Sequence, residues 1–236
     1  MRDGEIQDVD KDAYNYQEPR SCIGVVEPGH YVGLLVEGRK SHSSGATLSQ
    51  CAEILYNMGC TDAINLDGGN VVFSPSRETA IISDRVFMEN RGDSPAGLVQ
   101  ELERLLEARV IIIPSLRSDM TGHADGMVRF VDEHTVIGNR TRYRFGLEMR
   151  IKATLHSHEI EVCDFPYFES KGDSAVGCYL NFLETEQALF LPIFGVQMDQ
   201  EAIETAKELF GKTIVPVNIN EIAKDGGVLN CISWEG

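Results

Sequence analysis

The sequence predicts an α/β fold built from repeated strand–strand–helix–strand (ββαβ) units, and two observations lead there. Apolar segments of strand period and helix period alternate in the same order four times along the chain. The first strands of the four rounds begin at Cys22, Val71, Met127 and Cys178, about 50 residues apart, the spacing of a supersecondary repeat. Units repeated in series predict a radial assembly, in which the loops that leave each unit's last strand occupy equivalent positions.

Residues 1–20 are polar and irregular, with a charged run at Asp8, Asp10, Lys11 and Asp12 that reads as solvated surface. Strands are predicted over 22–26 and 31–36, around the Pro28-Gly29 turn. Thr47 is the predicted N-cap of a helix over 48–58, which lays Leu48, Cys51, Ala52, Leu55 and Met58 on one face and ends at Gly59. A strand over 61–66 follows. The second round has strands over 71–73 and 79–83, then a helix over 96–108 that starts at Asp93-Ser94-Pro95, with proline at its first position. Its buried strand covers 110–114. The third round has strands over 127–131 and 135–137, a helix around 144–155 with a ragged apolar stripe, and a strand over 159–165. The fourth has strands over 178–183 and 188–194, a helix over 200–210 and a strand over 213–217.

The chain of 236 residues is long enough for one large or two small domains with a sizeable core. A net charge of −16 argues against nucleic-acid binding, which needs a basic face to displace phosphate counterions. An acidic field instead suits a small cationic partner. No apolar run approaches the roughly 20 residues that span a bilayer, so no membrane partner is expected. Six cysteines lack paired metal-ligand spacing. Cys22, Cys51, Cys60, Cys163 and Cys178 lie in apolar or strand-like settings and read as small buried hydrophobes. Cys231 differs, because it follows a Gly-Gly turn. A reducing, cytoplasmic location is expected.

The loops at equivalent positions carry the chemistry. They are Asp67-Gly68-Gly69-Asn70, Thr121-Gly122-His123-Ala124-Asp125-Gly126, Ser170-Lys171-Gly172-Asp173-Ser174 and Asp225-Gly226-Gly227-Val228-Leu229-Asn230-Cys231. His123 and Asp125 stand two apart, so in an extended segment imidazole and carboxylate face one volume. A metal site is the rival use of such a pair, and no second histidine stands at metal-ligand spacing. Two carboxylates, Asp67 and Asp125, can grip a planar guanidinium. That cation would present its central carbon to the Cys231 thiolate, while His123 protonates departing ammonia and later activates water. The reaction class is hydrolytic deimination through a covalent thiouronium intermediate.

Two family resemblances meet on this chain. Leu66-Asp67-Gly68-Gly69-Asn70-Val71-Val72, the run from Thr121 through Gly122-His123-Ala124-Asp125-Gly126 to Asp132, Asn181-Phe182, and Gly226-Gly227-Val228-Leu229-Asn230-Cys231-Ile232-Ser233 resemble the agmatine deiminases and bacterial peptidyl-arginine deiminases. This resemblance implies a pentein fold, an α/β propeller of which the chain would hold about four of five units. It also implies Cys231 as nucleophile, His123 as general acid/base, and Asp67 and Asp125 as guanidinium ligands, with Asn70 and Gly227 beside the substrate. It implies no metal and no organic cofactor.

Pro19-Arg20-Ser21-Cys22-Ile23-Gly24-Val25, Leu35-Val36-Glu37-Gly38-Arg39, Ser44-Gly45-Ala46-Thr47-Leu48 and the run from Gly59 to Gly69 resemble phosphodiester glycosidases instead. That resemblance places Arg20, Arg39 and Asp67 near the glycosidase active region. The chain is therefore expected to combine a glycosidase-like segment, residues 1–69, with the C-terminal part of a deiminase-like domain, residues 62–236, joined at Leu66-Asp67-Gly68-Gly69. The expected function is deimination of agmatine or an arginine-like guanidine to a carbamoyl product and ammonia. The alternatives are a phosphodiester glycosidase and a truncated or chimeric chain without catalytic activity.

Overall fold

The computed structural model describes residues 1, 3–6, 17, 20–27, 30–36, 43–65, 68–90, 94–116, 122–140, 145–170, 174–224 and 227–232. Among them the chain forms four three-stranded sheets, one for each predicted unit.

The first unit comprises β1 (Arg20–Glu27), β2 (His30–Val36), α1 (Leu48–Asn57) and β3 (Asp62–Asn65). Thr47 caps α1 as its residue type predicts. Its hydroxyl accepts the Gln50 N–H while the Gln50 side chain accepts the Thr47 N–H, a reciprocal box worth about 1 kcal/mol. Gly59 then leaves the helix at φ +87°, a conformation that suits glycine.

The second unit holds β4 (Val71–Phe73), β5 (Thr79–Ser83), the short α2 (Val86–Glu89), α3 (Pro95–Leu106) and β6 (Arg109–Ile113). The third holds β7 (Val128–Phe130), β8 (Thr135–Asn139), α4 (Phe145–His156) and β9 (Glu161–Phe165). The fourth holds β10 (Leu183–Glu184), β11 (Ala188–Ile193), α5 (Met198–Leu209), β12 (Thr213–Asn218) and the short α6 (Asn220–Ala223). These three units share one topology. The first strand pairs antiparallel with the second, and the helix returns the third strand parallel to the second. The stripe of α4 that looks ragged in sequence is sufficient, because Leu147, Ile151 and Leu155 recur every fourth residue and are all buried.

Two expectations need correction. The first unit follows the same element order but is not a copy of the others. Its strand order is β2–β1–β3, with β1 in the middle and antiparallel to both neighbours. The strand expected over 178–183 is confined to Leu183–Glu184. Residues 178–182 form turns whose Tyr179, Leu180 and Phe182 are fully buried, so the apolar run marks a core loop. Gly177 makes that loop possible: at φ +98° a side chain there would meet the Phe168 carbonyl oxygen at 2.0 Å.

The core of the fourth unit closes on Asp199. Its carboxylate accepts the Tyr179 hydroxyl at 2.7 Å and the N–H groups of Phe194, Gly195 and Val196. Four donors thereby fix the start of α5 against the aromatic cluster of the half-buried Phe168 with the buried Tyr179 and Phe194. The other seam lies between the first and second units, and one apolar core crosses it. Val25 and Ile64 from the first unit are buried with Ala80, Ile82, Leu98, Leu102 and Leu105 from the second. Around this core the Tyr31 hydroxyl donates to Glu107, and Arg104 lies 3.4 Å from Asp62. Exposed pairs of this kind contribute little; burial of the apolar side chains carries the contact. Among the described residues no helix is long and apolar enough to cross a membrane.

Candidate active site

Three short 3-10 turns build the site: Gly68–Asn70, Ala124–Gly126 and Asn230–Ile232. The first packs against both of the others. Each lies in or ends a polar loop that the repeat places after a unit's last strand, so residues far apart in sequence meet because of the topology.

Asn70 fastens the first two turns together. It is 1% exposed, and its amide oxygen accepts the N–H of Ser83 at 2.9 Å and of Ala124 at 3.2 Å. Gly69 then lies directly against the second turn. A Cβ at this position would stand 2.7 Å from His123 Nδ1 and 2.9 Å from Asp125 Oδ1, so only glycine leaves both groups in place. His123 is extended and Asp125 sits inside the 3-10 turn. The pair therefore borders one volume, although the backbone between them is not the extended segment the spacing implied.

Asp125 is buried, at 3% exposure. Its Oδ2 accepts the side-chain amides of Asn181 and Asn230, each at 2.7 Å. Burial pushes its carboxyl above the ordinary carboxylate range, while His123, Arg129, the Asn230 amide and the Gly126 N–H draw it back. A buried carboxylate of this kind suits a cationic ligand, which restores the charge balance that desolvation removes.

Cys231 sits on the third turn and is exposed; Cys22, Cys51 and Cys60 are buried, and Cys163 and Cys178 are half-buried. The Cys231 N–H donates to Asn181 Oδ1 at 3.2 Å, and the Asn230 N–H donates to the Asn181 carbonyl. Asn181 thus joins the carboxylate turn to the cysteine turn. In the sequence the only local signal of this role is an amide set among apolar residues, Tyr179-Leu180-Asn181-Phe182-Leu183. Gly227 is half-buried, three residues before Asn230. Asp67, Arg39, Lys171 to Asp173, Asp225 and Gly226 lie outside the described residues. Among the described residues no cluster of three His, Cys, Asp or Glu side chains is placed to hold a metal ion.

Comparison with known proteins defines first the fold and then the family. The agmatine deiminase of Enterococcus faecalis, in a structure described as catalysing its reaction, superposes with a TM-score of 0.60 at 20% identity, over 70% of this chain and 55% of that one. A C. jejuni agmatine deiminase with a cysteine-to-serine change and substrate bound superposes with a TM-score of 0.61 at 17% identity, over 71% of this chain and 55% of that one. A Streptococcus mutans protein assigned as an agmatine deiminase is 38% identical over 66 residues, which are 28% of this chain and 18% of that protein. The fold is thus the α/β fold of these deiminases, and the chain covers little more than half the length of either structure.

Residues 38–236 match the family model of the Porphyromonas-type peptidyl-arginine deiminases, and the chain belongs to that family. Residues 1–72 match a second model, that of the phosphodiester glycosidases. The two matches overlap across the first turn of the site, as the two resemblances in the sequence do.

Proposed function

We propose that this chain is a guanidine deiminase that hydrolyses agmatine or an arginine-like guanidine through Cys231. The observation that carries the reading is the convergence of three turns: His123 and the buried Asp125 lie against Gly69, and the turn that carries the exposed Cys231 packs against the same glycine turn. Asp125 and Asp67 grip the guanidinium, and Gly69 lets His123 and Asp125 keep their places beside it. Asn70 holds the first two turns from behind, and Gly227 lies on the approach to the cysteine turn.

The Cys231 thiolate adds to the guanidinium carbon, forming a C–S bond. The tetrahedral adduct then breaks a C–N bond as His123 delivers a proton, and ammonia leaves. The resulting thiouronium is attacked by water, which gives a proton to His123, and the C–S bond breaks to release the carbamoyl product. The substrate-bound C. jejuni relative with its cysteine changed to serine supports a cysteine in this role. We place the three ββαβ units in a pentein-like propeller, with the β1–β3 sheet and α1 beside the second unit.

A direct test is ammonia release by the purified chain from agmatine, free arginine and an arginine-containing peptide. Stoichiometric ammonia and carbamoyl product from at least one of them is expected; a folded chain that releases none from any of the three contradicts the reading. The match of residues 1–72 favours a second reading as a phosphodiester glycosidase. In the described structure Arg20 donates from Nε to the Ala46 carbonyl at 3.2 Å, so that group is already used within the fold. Release of sugar from a sugar-1-phosphodiester in the same assay series would turn the assignment toward it.

A further inference from the structure

The strand that follows the His-Ala-Asp turn carries an arginine that the mechanism above does not use. In β7, Val128 and Phe130 point into the core of the third unit, and the period of two turns Arg129 to the opposite face. There its guanidinium lies 4.5 Å from the centre of the Phe182 ring. Phe182 is fully buried in the core of the fourth unit, so the platform beneath the cation is rigid. The residue before it, Asn181, donates to Asp125. Arg129 and Asp125 are thereby held by consecutive residues, Phe182 and Asn181, and the arginine's charge draws the Asp125 carboxyl back toward the ordinary range.

We propose that Arg129 is a positioning residue of the site: stacked on Phe182, it supplies a fixed positive charge that keeps the Asp125 carboxylate set to receive a cationic guanidine. This rests on the deiminase reading for its substrate. The groups facing Asp125 are His123 from its own turn, Arg129 from β7, Asn181 from the fourth unit and Asn230 from the third turn, which also carries Cys231. The first turn brings the Gly69 backbone. Of these, His123 changes protonation during the proposed reaction, and the two asparagines are neutral. Arginine keeps its charge throughout. It therefore separates two tasks, leaving His123 to move protons while a charge that does not titrate favours the ionised form of Asp125.

The test compares wild type, Arg129→Met and Arg129→Lys as full chains. In Arg129→Met the acid limb of kcat/KM for agmatine is expected to move up by about one pH unit, a tenfold loss on that limb. KM should change more than kcat, and Arg129→Lys should recover most of the loss. An activity-independent reading comes from 13C NMR titration of aspartate-labelled protein, with Asp125→Asn used to assign the resonance. The Asp125 titration should move to higher pH in Arg129→Met and stay near wild type in Arg129→Lys. If it is unmoved while the melting temperature falls, Arg129 serves packing alone and the proposal is overturned. If wild type releases no ammonia, the deiminase reading fails, and the NMR titration still decides the role of Arg129.

Discussion

Cys231→Ser is expected to lower ammonia release from agmatine by about a thousandfold or more, with the melting temperature within about 2 °C of wild type. The two parts of this expectation have separate physical origins. Cys231 is exposed at the surface of a 3-10 turn, so exchanging sulfur for oxygen removes almost no buried contact. Its backbone N–H still reaches Asn181 Oδ1, so the turn keeps its place. The chemistry, however, needs an anion that attacks carbon at neutral pH. In the proposed reaction the Cys231 thiol supplies one beside the cationic substrate, whereas a hydroxyl does not ionise in that range. Measured ammonia release and thermal unfolding on the same preparation check both parts. A serine variant with wild-type turnover would remove Cys231 from the mechanism.

Ile64→Ala is expected to destabilise the whole molecule by about 2–4 kcal/mol, as truncation of a core isoleucine does. Ile64 is buried with Leu98 and Leu102 of α3, across the point where the two family matches overlap. If the two sequence families had contributed independent domains, the loss would fall on one of them. With a shared core, urea unfolding followed by far-UV circular dichroism and by tyrosine fluorescence should give coincident transitions that shift together. The seven tyrosines include Tyr31 in β2 and Tyr179 in the fourth unit, so the signal samples both regions. Two transitions, of which only the earlier one moves, would show that residues 20–65 fold apart from the rest. The same core explains how a first unit of different strand order packs against the second. Its β1 and β3 place Val25 and Ile64 against α3, and that contact requires apolar shape, not a shared strand order.

Asp125 adds a pH dependence whose sign follows from its burial. Its folded carboxyl titrates above the ordinary value of 3.8, so the fold gains from protonation at low pH. That gain is lost as pH rises from the unfolded range through the raised folded value. A bound guanidinium favours the ionised form, so ligand-dependent stabilisation should grow as pH rises through the raised folded value.

The element order of the last three units is legible in the sequence, since Leu98, Leu102 and Leu105, or Leu147, Ile151 and Leu155, recur at helical spacing between strand-like runs. Strand order in the first unit is not legible, because local periodicity carries no information on which neighbour a strand pairs with. Tyr179, Leu180 and Phe182 look like a strand because a buried loop and a buried strand are both apolar. In the site, the spacing of His123 and Asp125 between glycines pointed to a shared volume, and the structure places both against Gly69. The Asn181 and Asn230 amides were not predictable as Asp125 partners, since one lies 56 residues away and the other 105. Only the return of the chain through later units brings them to the carboxylate.

The central claim, that Cys231 forms a covalent thiouronium with a guanidine, is tested most directly by acid-quenching the chain during turnover of agmatine and mapping its peptides by mass spectrometry. The account predicts that the Cys231 peptide carries the mass of agmatine less one ammonia, and that Cys231→Ser removes the adduct. Ammonia release with no adduct on that peptide, or with the adduct on another cysteine, would contradict it.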